Sequence, residues 1–126
     1  MSPLSRRYRW ALWLILGMYW LMLLTATHLP PAELPKTHVS DKIEHFTAYG
    51  VLTFLLSLAI GQRNGRLPAA VITCAMVLTY GAIDELTQPP FGRSCDIHDW
   101  YADAAGAVTA TLVVWMTARL LRRSSR

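Results

Sequence analysis

Four stretches of this chain carry no Asp, Glu, Lys or Arg: residues 10–32, 45–62, 67–83 and 104–118. A helix needs roughly 17–25 mostly apolar residues to cross a bilayer. The first three stretches reach that length. The fourth reaches it when residues 100–103 form its first turn, which places Asp103 near the membrane boundary. A water-soluble four-helix bundle is the alternative, but no stretch shows a wide polar face at the helical period. Only 16% of the residues are charged, against about 25% in an ordinary soluble domain. The expected architecture is an all-α, four-helix transmembrane bundle forming a single domain over residues 1–126. Its helices are expected near 9–27, 43–60, 67–88 and 99–121.

Charge is segregated along this pattern. All eight acids (Glu33, Asp41, Glu44, Asp84, Glu85, Asp96, Asp99 and Asp103) fall in two alternate loops or the helix ends beside them. Nine of the twelve Lys and Arg residues fall at the other end: Arg6, Arg7, Arg9, Arg63, Arg66, Arg119, Arg122, Arg123 and Arg126. Only Lys36, Lys42 and Arg93 share the acidic side. Basic residues near helix ends stay in the cytoplasm. Both termini are therefore expected to be cytoplasmic and the acidic face external. The net charge of +4 reads as anchoring to anionic lipid, about 1 kcal/mol per well-placed base. No nucleic-acid role is expected, because no basic stripe with interleaved aromatics lies away from the helix ends. The basic, apolar start is too long for the roughly 7–15-residue core of a signal peptide and lacks an A-x-A site, so an uncleaved helix is expected.

Local signals set the boundaries. Prolines at 30, 31 and 35 close the first helix. Ser40 reads as an N-cap, with Asp41 and Glu44 in the first turn where the helix dipole favours negative charge. Residues 61–66 read as a tight turn, and Pro89, Pro90 and Gly92 end the third helix. Tyr19 and Trp20 are expected to pack inward, and Tyr80 and Met76 to fill the core. Ala102, Gly106 and Ala110 form a small-residue face that lets a neighbouring helix approach closely. Cys74 and Cys95 lie at different depths and are not expected to pair.

The polar residues at the acidic end are the candidate site. Asp41, His45 and Tyr49 recur every fourth residue on one helical face. Glu85 and Gln88 are neighbours on the third helix. Arg93 and Ser94 precede Asp99, Asp103 and Gly106, which share a face of the fourth. Seven carboxylates (41, 44, 84, 85, 96, 99 and 103) meet two permanent cations, Lys42 and Arg93. Burying such groups is costly, so they pair, hydrate or bind something cationic. One reading is a salt-bridged network that only locks the helices together. Another is a divalent-cation site drawn from Asp41, His45, Glu85, Asp99 and Asp103, with Asp41 orienting the His45 imidazole. No H-x-x-x-H or H-E-x-x-H signature supports it. Ser94 and Cys95 lie near His98 in sequence, a weak nucleophile signal. His28 and His98 are expected to be solvated at the interface.

At these residues the chain resembles the VanZ-like family of bacterial membrane proteins. Asp41-Lys42, His45-Phe46 and Tyr49 resemble its D-K-x-x-H-F-x-x-Y block. Tyr80-Gly81, Glu85 and Gln88 resemble Y-G-x-x-x-E-x-x-Q. Gly92-Arg93-Ser94, followed by Asp99, Asp103 and Gly106, resembles a G-R-S…D-x-x-x-N-x-x-G ending, with Asp103 where the family more often has Asn. The founding member is associated with resistance to teicoplanin, a lipid-anchored glycopeptide. The resemblance therefore implies work in the bacterial cytoplasmic membrane at its outer leaflet, near envelope lipid or cell-wall precursor lipid.

Three functional readings follow. In the first, an outward pocket built from Asp41, Lys42, His45, Tyr49, Glu85, Gln88, Arg93, Ser94, Asp99 and Asp103 binds an envelope lipid or wall-precursor head group. Lys42 and Arg93 would hold its phosphate, and no turnover is expected. In the second, a membrane enzyme acts on a lipid-linked phosphate or sugar, with His45 or Glu85 as the general acid or base. In the third, the chain is a structural or partner-binding subunit. The sequence leaves the ligand and the oligomeric state open.

Overall fold

The computed structural model describes residues 3–34, 38–61 and 66–124, with the side chains of residues 3–6 and 31 outside that description. Pro35 and Lys36 of the first loop, Arg63 of the middle turn and the terminal Arg126 lie outside the described residues, as does the side chain of Arg6.

Among the described residues four α-helices follow one another: α1 (Pro3–His28), α2 (Asp41–Ile60), α3 (Leu67–Thr87) and α4 (Ile97–Ser124). No strand occurs among the described residues. All four are long and apolar enough to cross a membrane. The chain reverses at each connection, so the α1–α2 and α3–α4 loops share one end. α1 begins before the expected residue 9 and α4 runs past 121. Both extra stretches are basic, and an α-helix continues readily beyond the hydrocarbon where Lys and Arg side chains reach into water.

Local chemistry explains most of the boundaries. Asp41 and Glu44 occupy the first turn of α2, but the Ser40 side chain makes no capping bond. The Ser40 carbonyl instead accepts the Ile43 and Glu44 N–H groups. α2 ends on Gly61 in the left-handed region at φ 79°, its N–H donating back to Leu58, a conformation that favours glycine. Pro68 sits in the first turn of α3, where its missing N–H costs nothing. Asp96 caps α4, its carboxylate accepting the His98 N–H at 2.9 Å.

α2 and α4 form the closest pair. Gly106 sets this: a Cβ there would lie 2.1 Å from the Phe46 carbonyl oxygen. α3 packs against both, and α1 lies along α2. Leu16, Leu23, Leu52, Leu56, Val77 and Ala107 make the apolar core. Tyr19 turns inward and donates to the Ala48 carbonyl at 2.9 Å. Trp20 meets Tyr80 edge-on at 5.0 Å.

Leu14, Met18, Leu21, Ile72 and Val113 face outward, while Thr53, Ser57, Thr73, Asp84 and Asp103 are buried. So much exposed apolar surface on helices of spanning length suits contact with lipid. Met76 belongs to it: at 48% exposure it faces outward and does not fill the core as expected.

Candidate functional site

The two loops gather polar side chains from all four helices. His45, Tyr49, Thr53 and Ser57 recur every fourth residue and form one buried column down α2. Asp84, Glu85 and Gln88 close α3, and Asp99 and Asp103 open α4; all five are buried.

Asp84 is the deepest node. One carboxylate oxygen accepts the Thr27 hydroxyl at 2.9 Å and the Tyr80 hydroxyl at 3.4 Å. The other accepts the Tyr49 hydroxyl at 3.0 Å and the Gln88 amide at 3.4 Å. The sequence places Asp84 among the carboxylates but gives no sign of this role, nor of the parts played by Thr27 and Tyr80. The one available signal is that Asp84 directly follows an uncharged stretch. His28 stands beside this node. Its ring nitrogens lie 3.0 Å from the Leu24 carbonyl and 3.0 Å from the Thr87 hydroxyl, and Phe91 packs against it. It is thus a link between α1 and α3 instead of the solvated residue expected. His98 is largely solvated, its side chain 73% exposed.

His45 pairs across helices. Its Nδ1 lies 2.9 Å from Asp103 Oδ1. Nε2 faces Asp41 at 3.8 Å and Asp99 at 4.0 Å. The carboxylate closest to His45 is therefore Asp103, while the expected partner Asp41 stands at ion-pair distance from the other ring nitrogen. The i, i+4 spacing brings Asp41 near, but Asp41 is exposed at the start of α2, where water competes for it. Asp103 is buried where water does not.

Lys42 gathers the outer carboxylates. It is hydrogen-bonded to Asp99, lies 3.1 Å from Asp96 and 3.6 Å from Asp41. Asp96 also accepts the backbone and ring of His98. These His98 contacts, with the Lys42 ammonium, hold the Asp96 carboxyl well below the usual carboxylate range. Glu85 accepts the Asp96 N–H at 3.0 Å and the Gln88 amide at 3.3 Å. Gln88 in turn accepts Arg93 Nε at 3.3 Å, and Arg93 also reaches the Leu29 carbonyl. Among the described residues Arg93 makes no ion pair. Ser94 is exposed beside it and takes no part in these contacts.

A cleft of about 220 Å³ opens between α1 and α2. Leu23, Ala26, Leu34 and Ala48 form apolar walls; His45, Tyr49, Thr27 and Arg93 supply polar groups, with Asp41 and Glu44 also lining it. The five residues expected as metal ligands fall into two overlapping groups, Asp41–His45–Asp99 and His45–Glu85–Asp103. In each, one ligand-capable atom per residue lies within 4.8 Å of the others. Cys74 and Cys95 are both free.

Four membrane-length helices around a buried polar centre define a small multi-helix membrane protein. The chain belongs to the VanZ-like family: the family described as VanZ/LLP1 matches residues 7–121. A cell-envelope setting and a link to antibiotic resistance fit that family's name. No curated protein and no solved structure matches the chain.

Proposed function

We propose that the chain binds the anionic head group of an envelope lipid or cell-wall precursor lipid, without turning it over. The site faces the outside of the bacterial cytoplasmic membrane. Arg93 carries this reading. It lines a cleft with apolar walls, its partners are neutral acceptors, and a guanidinium offers five donors, of which these contacts use two. A phosphate fits Arg93 while an acyl or prenyl chain follows Leu23, Ala26 and Ala48. Lys42 is engaged by three carboxylates, so it serves to hold the outer rim together and the anion falls to Arg93. A role in teicoplanin-type resistance belongs to the same proposal, since a lipid-anchored antibiotic meets a lipid-linked ligand at the same leaflet.

Native mass spectrometry of detergent-purified protein tests it. The wild type should retain phosphate-bearing lipid. Arg93→Ala should lose about 1.5–3 kcal/mol of binding, the value of a charge-assisted hydrogen bond, and retain at least about tenfold less. Equal retention by a folded Arg93→Ala would remove the reading. The buried His45–Asp103 pair beside the cleft favours a second reading, an enzyme using His45 and Glu85 on a lipid-linked phosphate or sugar. Recovery of the added lipid in altered form, and unaltered with His45→Ala, would select it.

The outward orientation rests on nine basic residues against three and has its own test. Cys95 is exposed in the α3–α4 loop, while Cys74 lies half-buried within α3. A membrane-impermeant maleimide should label Cys95 in intact cells, with Cys95→Ser as the blank. Labelling only after the membrane is opened would invert the protein.

A further inference from the structure

The buried carboxylates are not equally matched. Asp84 is surrounded by hydroxyl and amide donors. Asp99 has Lys42. Each oxygen of Glu85 accepts one hydrogen bond. Asp103 is 2% exposed, and although its Oδ1 meets His45, its buried Oδ2 has no hydrogen-bond partner. A buried acceptor left bare asks for an explanation, and an ion is one of the few available.

We propose that His45, Glu85 and Asp103 form a binding site for a divalent transition-metal ion. All three side chains are buried, come from three different helices and bring their ligand atoms within 4.8 Å of one another. The ion would neutralise two carboxylates that no lysine or arginine contacts among the described residues. The neighbouring group Asp41–His45–Asp99 has comparable spacing, but the Lys42 ammonium already sits on Asp41 and Asp99. That places the cation need on the inner group.

The donor set selects the metal. One imidazole with two carboxylates suits Zn²⁺ or Mn²⁺. Ca²⁺ takes six to eight oxygen ligands and Mg²⁺ a near-ideal octahedron, which these three residues do not supply. Three protein ligands with one position left over is the common catalytic or ligand-binding zinc arrangement. His45 would ligate through Nδ1, the nitrogen beside Asp103. Its proton would then sit on Nε2, facing Asp41 and Asp99 at 3.8 and 4.0 Å. Carboxylates so placed hold a ligating histidine in one orientation. The inference stands independently of lipid binding at Arg93.

The experiment uses the full chain in detergent, stripped with chelator. Zn²⁺ alone is titrated calorimetrically, and Mn²⁺ alone is added for pulsed electron paramagnetic resonance. The wild type should bind one ion per chain, and bound Mn²⁺ should couple to one imidazole nitrogen. Asp103→Asn and Glu85→Gln should each weaken Zn²⁺ binding at least about tenfold. His45→Ala should remove the nitrogen coupling, and Glu33→Gln, an exposed acid in the α1–α2 loop, should change nothing. Failure of the wild type to bind Zn²⁺, or bound Mn²⁺ without nitrogen coupling, overturns the site without any variant having to fold. So does unchanged affinity in folded Asp103→Asn and Glu85→Gln.

Discussion

Gly106→Ala should force α2 and α4 apart and cost about 3 kcal/mol of stability or more, the upper end of over-packing penalties. The added Cβ would stand 2.1 Å from the Phe46 carbonyl oxygen, 2.9 Å from its carbon and 3.1 Å from the Gly50 nitrogen. These are backbone atoms of the facing helix, so no side chain can rotate out of the way. The comparison variant is Gly50→Ala. Its Cβ would lie 3.5 Å from the Gly106 carbonyl oxygen, ordinary contact, and it should cost far less. Unfolding of both variants in mixed detergent, followed by circular dichroism, measures the difference. Equal stabilities would mean that the two helices do not meet at Gly106. The effect should also reach the polar centre. Phe46 adjoins His45, and Gly106 lies one turn beyond Asp103, so the contact that Gly106 permits also sets the His45–Asp103 distance of 2.9 Å.

That coupling explains how much could be read from the chain alone. The helices are legible because uncharged runs of spanning length have few other folds. Inward and outward faces are less legible. Lipid tails are as apolar as leucine, so apolar residues line both faces and periodicity does not separate them. Met76 faces out for this reason while Tyr80, four residues on, reaches Asp84. The membership of the polar centre is largely written in the spacing of His45, Tyr49, Glu85, Asp99 and Asp103. Its pairings are not. Local spacing gives Asp41 at 3.8 Å from one ring nitrogen of His45, but not the shorter 2.9 Å contact that the other makes with Asp103 on another helix. Asp84 illustrates the same point. Its donors come from α1, α2, α3 and the residue after α3, and Thr27 stands fifty-seven positions away.

Asp84→Ala is the substitution that tests this node. It removes the acceptor of the Thr27 and Tyr49 hydroxyls, both on buried residues. The Thr27 hydroxyl can fall back on the Leu24 carbonyl at 3.2 Å, but Tyr49 is left a buried donor without a partner, so the loss should be about 1–3 kcal/mol. Asp84→Asn should fall between Ala and the wild type. Its oxygen keeps one pair of bonds, and its NH₂ faces groups that now donate. A hydroxyl can turn to accept from it, whereas the Gln88 amide nitrogen cannot. The expected order of stability is therefore Asp, Asn, Ala, measured by the same unfolding experiment. A loss under about 1 kcal/mol for Asp84→Ala would mean that water replaces the carboxylate and that the node is not dry. Thr27 and Tyr49 also line the cleft from α1 and α2. With Asp84 gone, nothing draws their hydroxyls to a common point, so the cleft loosens. Lipid retention should then fall in a folded Asp84→Ala even though Arg93 is untouched.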